Sequence, residues 1–112
     1  MKHGYVYIMA NAPFGTLYIG VTSDMVRRDY EHKNGLYPGF TKKYGLKLLV
    51  HLEMFESIEA AITREKQLKR WHRDWKINLI NTHNPEWKNI RLMEHIFSAA
   101  DAALMYPETS SG

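Results

Sequence analysis

Arg28 and His32 lie four residues apart in Met25-Val26-Arg27-Arg28-Asp29-Tyr30-Glu31-His32, and on a helix that spacing puts them on one face. Two basic groups so placed give a helix no stabilisation of their own and call for an acceptor outside it. A guanidinium presents a planar fork of donors that fits phosphate oxygens, so the chemistry suggested here is phosphate binding. Arg27 and Glu31, also four apart, are sufficiently explained as a solvent-facing ion pair worth roughly a few tenths of a kcal/mol. Glu65 is a second anomaly, because it falls in the apolar stripe of Ile58, Ala61, Ile62 and Leu68. An ionised carboxylate facing inward is costly unless a cation meets it, which calls for a buried arginine or a metal ion beside it.

Around these residues the chain supplies further chemistry-bearing groups. Tyr7 and Tyr18 sit in two β-rich runs and can project towards one site if the runs pair as a hairpin. Lys42 and Lys43, interleaved with Tyr37, Phe40 and Tyr44, suit contacts to backbone phosphates and stacking on bases. Lys69 and Arg70 belong to a run of cations near Glu65, and Asn84 precedes Pro85 at a helix stop.

The elements that must position these groups can be read in order. Tyr5 to Met9 is a first strand, the stretch from Asn11 to Gly15 a turn, and Thr16 to Val21 the return strand. Thr22, Ser23 or Asp24 caps the Arg28/His32 helix, which ends near Asn34-Gly35. Residues 36–46 read as a long loop, and Lys47 to Phe55 as a third strand on which His51 is an alternating face residue. Ser57 caps the Glu65 helix. Trp71 and Trp75 mark a short third helix and are expected in the core, with Trp87 packing back after Pro85. The fold class is therefore α+β: a small three-stranded antiparallel sheet flanked by helices, plus a C-terminal helix. Residues 1–89 are read as one domain, and 90–112 as a helical extension and frayed tail on which a weak homodimer is expected to form.

Composition narrows the class. The chain has 112 residues, the size of one compact domain, and no cysteine, which excludes disulfides and thiolate zinc sites. No apolar window is long enough for a membrane helix, and no signal core precedes the first strand, so a cytoplasmic protein without a membrane partner is expected. Residues 1–88 hold 14 basic and 9 acidic side chains, a net of +5, which suits a polyanion.

Together these residues resemble the GIY-YIG endonuclease superfamily, and within it the small stand-alone single-domain bacterial subfamily. Tyr5-Val6-Tyr7 stands for the first motif and Tyr18-Ile19-Gly20 for the second. Arg28, His32, Glu65 in Arg64-Glu65-Lys66 and Asn84 in Asn84-Pro85-Glu86-Trp87 follow in the family's order. The first motif departs from literal Gly-Ile-Tyr, and no lysine follows Gly20 closely. The resemblance implies a metal-dependent endonuclease hydrolysing phosphodiester bonds of nucleic acid, DNA ahead of RNA, with branched, nicked or damaged DNA as substrates. It implies Tyr7, Tyr18, Arg28, His32, Glu65 and Asn84 as catalytic residues, and Glu65 as the ligand of Mg²⁺ or Mn²⁺. Lys42, Lys43, Lys69 and Arg70 would bind the nucleic acid. Either Tyr7 or Tyr18 would orient or deprotonate the attacking water. A non-catalytic nucleic-acid-binding module of the same fold is the alternative, and a protein-interaction domain a more distant one.

Overall fold

A computed structural model describes residues 3–92 of the chain. Three strands, β1 (Gly4–Ala10), β2 (Leu17–Thr22) and β3 (Leu48–Phe55), form one antiparallel sheet in the order β2-β1-β3. Four helices accompany them: α1 (Met25–Lys33), α2 (Phe40–Tyr44), α3 (Ile58–Arg70) and α4 (Arg73–His83). The expected α+β class, with a three-stranded antiparallel sheet between helices, is what forms.

Side chains alternate across the central strand, and this sorts the helices into two layers. Val6, Ile8 and Ala10 point to one face, where Ala61 and Leu68 of α3, Ile80 of α4 and Trp87 close over them. Tyr7 and Met9 point to the other, where they meet Met25 of α1 together with Leu46 and Leu49. Gly4 lies where α3 crosses, and a Cβ there would fall 2.7 Å from that of Ala61. The register sets Tyr7 opposite Gly20 on one side and Leu52 on the other. A bulge follows Ile8, so that His51 pairs with Ile8 and Leu49 with Met9.

The caps follow the local chemistry. Asp24 accepts the Arg27 backbone N–H at 3.1 Å, and Ser57 that of Ala60 at 3.1 Å. Three expectations are corrected. Residues 36–46 are not all loop: Phe40–Tyr44 winds into a short helix between Gly39 and Gly45, both at positive φ. Trp75 is not core but 53% exposed, standing edge-on to Trp71 and His72. Ile62 is likewise at the surface, because the buried edge of α3 runs through Ala61, Glu65 and Leu68. Trp87 does pack back, stacking on Phe14 at 4.7 Å. Of the expected C-terminal extension, Ile90 and Leu92 pack against the Tyr7/Met9 layer, and the Ile90 N–H donates to the Leu49 carbonyl at 2.8 Å. The helix and dimer contact expected further on lie outside the described residues.

One polar knot joins α3 to the sheet. The Arg64 guanidinium donates to Glu53 at 2.8 and 3.1 Å, and His51 Nε2 donates to the same carboxylate at 2.8 Å. Burial alone would raise the Glu53 carboxyl, but the hydrogen bonds from His51 and Arg64 outweigh it and hold it at about 2. Its contribution to stability is therefore full above its ordinary value of 4.5 and is lost as pH falls towards 2. Glu53→Gln is expected to lose roughly 3 kcal/mol of stability at pH 7. In urea titrations the gap from wild type should close on acidification; a gap that persists at the lowest pH would mean the knot acts by packing alone.

Candidate active site

The second β-strand and α1 deliver the cluster. β2 runs out at Thr22, which accepts the Asp24 N–H, and α1 starts at once, so Arg28 and His32 lie over the Tyr7 face of the sheet. Gly20, opposite Tyr7, leaves room for the phenol: a Cβ at this position would clash with the Cζ and hydroxyl oxygen of Tyr7. The tyrosine is 0% exposed. Arg28 Nη1 donates to its hydroxyl at 3.2 Å, and His32 Nε2 lies 3.0 Å from it on the other side.

The free basic pair expected from sequence is corrected here. His32 is only 3% exposed, and its other ring nitrogen meets Thr41 Oγ1 at 3.2 Å. Burial and the nearby Arg28 lower it to about 4, so it is a neutral imidazole at neutral pH. Arg28 also has protein partners: its Nε lies 3.4 Å from Glu31, and its guanidinium covers the Tyr37 ring at 4.5 Å. Glu31 therefore serves both arginines, since Arg27 reaches it at 3.2 Å as expected. The guanidinium keeps one side open, where Thr22, Ser23, Asp24, Arg27, Arg28 and Glu31 line a cavity of about 220 Å³.

Tyr18 stands half-buried beside this group, its ring 6.3 Å from Tyr7 and 5.8 Å from His32. Burial, then Tyr37, push its hydroxyl up from the ordinary phenol value, and burial pushes Tyr7 up to about 12. Both phenols hold their protons at neutral pH. From Tyr18 an aromatic row continues outward through Phe40, 6.5 Å away, to Tyr44, with Lys43 over the last ring at 5.4 Å. Lys42 and Lys43 are exposed beside it.

The structure brings Tyr7, Tyr18, Arg28 and His32 together. It does not join Glu65 or Asn84 to them by a direct contact among the described residues. Glu65 is 8% exposed on α3, in the layer across the sheet, and its Oε2 pairs with Lys69 at 2.5 Å. The expected cation is thus a lysine one turn on. Asn84 spends its side chain on structure: its amide donates to the Val50 and Lys88 carbonyls and its oxygen accepts the Lys88 N–H. Lys69 and Arg70 are exposed at the end of α3. Sequence reading missed Thr41, for which spacing gives no signal, and the second role of Glu31, whose position three residues after Arg28 was there to be read.

The chain is similar to known proteins over most of its described length. The family model described as the GIY-YIG catalytic domain matches residues 3–78. A UPF0213 protein of Syntrophus aciditrophicus is 40% identical over 87 residues, covering 77% of this chain and 98% of that one. Another, from Staphylococcus saprophyticus, is 36% identical over 71% of this chain and 95% of its own. The solution structure of a UPF0213 protein from Bacillus halodurans is similar with a TM-score of 0.50 and 31% identity, covering 78% of this chain and 92% of that one.

The buried imidazole has a consequence for stability. The unfolded chain takes up a proton on His32 near pH 6.5, whereas the folded one does so only near 4. Stability is therefore expected to fall as pH drops across that window, by roughly 3 kcal/mol in all. Chemical denaturation of wild type and His32→Gln at matched pH values checks this. The variant should show a flatter dependence between pH 6.5 and 4; equal slopes would mean that His32 is protonated in the fold.

Proposed function

The chain belongs to the GIY-YIG catalytic-domain family, and from that premise we propose that it is a divalent-metal-dependent endonuclease hydrolysing phosphodiester bonds of DNA. The observation that carries the reading is the guanidinium of Arg28, aimed by Tyr7 and Glu31 and open on one side to a small cavity. A cation held in this way costs little reorganisation when charge rearranges on a phosphate, which is the condition for electrostatic stabilisation of a transition state. Arg28 would take the non-bridging oxygens. Tyr7, with no surface open to solvent, serves to hold Arg28. Tyr18, half-buried beside this group, would orient the attacking water.

Glu65 suits a hard divalent ion better than a soft one. Its Oε1 has no protein donor among the described residues, while Oε2 meets a lysine whose long side chain is half exposed and can swing away. One carboxylate of this kind fits Mg²⁺ or Mn²⁺, which bind oxygen, and Mg²⁺ keeps most of its waters. When bound, such an ion would stabilise charge on the leaving oxygen. Both Arg28 and α3 flank β2, whose outer edge is unpaired among the described residues, and the scissile phosphate would be reached across that edge. Lys42, Lys43, Lys69 and Arg70 would hold the flanking backbone.

The second reading, a nucleic-acid-binding module without turnover, has one observation in its favour: Glu65 is already neutralised by Lys69, in the helix layer opposite Arg28. Plasmid nicking with Mg²⁺ or Mn²⁺ separates the two. Arg28→Lys keeps the charge but loses the fork, and is expected to cost about 100-fold or more in rate. Glu65→Gln should abolish metal-dependent nicking while thermal melts still report a folded protein. A Glu65→Gln variant that nicks at the wild-type rate would remove the metal assignment, and a wild type that binds DNA without nicking would leave the binding module.

A further inference from the structure

Four side chains stand in one file. Arg28 Nη1 is 3.2 Å from the Tyr7 hydroxyl, that hydroxyl 3.0 Å from His32 Nε2, and His32 Nδ1 3.2 Å from Thr41 Oγ1. The three inner members are shielded from water, with Thr41 itself 4% exposed. In such a place each donor and acceptor needs a partner within the protein.

The direction of the chain follows from what each group can do. A guanidinium only donates, so the Tyr7 oxygen accepts from Arg28. The Tyr7 proton then needs an acceptor, and the neighbour that offers one is His32 Nε2. That nitrogen must be bare, which puts the imidazole proton on Nδ1, where Thr41 Oγ1 receives it. In the opposite tautomer an Nε2–H would point at the Tyr7 oxygen, compete with Arg28 for it, and leave the Tyr7 proton without a partner.

We infer that Thr41 is a positioning residue: by accepting the Nδ1 proton it selects one tautomer of His32, and through Tyr7 it aims Arg28. The inference deepens the nuclease reading and rests on it for its kinetic consequence, whereas the tautomer stands on the contacts alone. Thr41 also lies between Phe40 and Lys42 on α2, so the surface offered to a nucleic-acid backbone and the aim of the guanidinium share one buried chain.

The test uses the full chain, ¹⁵N-labelled, with Thr41→Val, which keeps the shape but removes the acceptor, and Thr41→Ser, which restores it. Long-range ¹H–¹⁵N correlation spectra at pH 7 report which ring nitrogen of His32 carries the proton. Wild type and Thr41→Ser should show Nδ1–H; Thr41→Val should show a mixture or Nε2–H. In plasmid nicking Thr41→Val should lose about tenfold or more in kcat, the size of one hydrogen bond withdrawn from a charged group, with KM changed less than about twofold. Thr41→Ser should recover the rate. An Nε2–H tautomer in wild type overturns the inference, even where Thr41→Val fails to fold. So does a Thr41→Val protein with the wild-type tautomer or an undiminished kcat. If wild type does not nick DNA at all, the nuclease reading fails and the kinetic half of the inference with it, while the spectra still decide the tautomer.

Discussion

A phenol hydroxyl shut away from water must have both its lone pair and its proton taken up by the protein. Tyr7 is in that position, and much of the fold can be traced from it. Its ring needs the space over Gly20, which sets the second strand against the first in one register only. Its lone pair needs a donor, which Arg28 supplies from α1, and its proton needs an acceptor, which His32 supplies one turn later. Helix α1 is thereby fixed in rotation over the sheet as well as in position. Unpaired polar groups at this depth cost about 1–3 kcal/mol each, comparable with a sizeable part of the net stability of a small domain.

The opposite layer solves a different problem. Helix α3 has to bury a face containing Glu65 between Ala61 and Leu68, and it does so by supplying the cation from its own next turn. Arg64, adjacent in sequence, is bound to Glu53 on the sheet, a carboxylate that His51 also holds. The two neighbouring residues thus have separate tasks: one ties the helix down, and the other keeps a carboxylate paired within its own helix, to Lys69. That separation is what makes Glu65 replaceable in principle without unfolding the chain.

Much of this was legible in the residues. Alternation in Tyr5 to Met9, the glycine after Tyr18-Ile19 and the caps at Asp24 and Ser57 are local signals, and the strands and helices they mark are present. The grouping of Tyr7, Tyr18, Arg28 and His32 was readable from family resemblance. What escaped was set by tertiary context. Spacing alone makes His32 half of a cationic pair, since it reports neighbours on one helix and says nothing of the burial that, with Arg28 beside it, keeps the ring neutral. A large apolar ring such as Trp75 is expected in a core, yet the first turn of α4 turns it outward. Thr41 carried no signal, since a hydroxyl in a glycine-flanked segment reads as loop until its partner is known.

The far side of the sheet carries a feature of another kind. The outer rim of β3 is met by residues from beyond α4: Asn89 accepts the Leu49 N–H, Ile90 donates to the Leu49 carbonyl, and Asn84 donates to that of Val50. A short strap thus stands in for a fourth strand where the bulge has already broken the ladder. An apolar strand left open there would invite pairing with the same strand of a neighbouring molecule, the first step of ordered aggregation. The asparagines that look like mere punctuation after α4 therefore cover one edge of the three-stranded sheet that the described residues form.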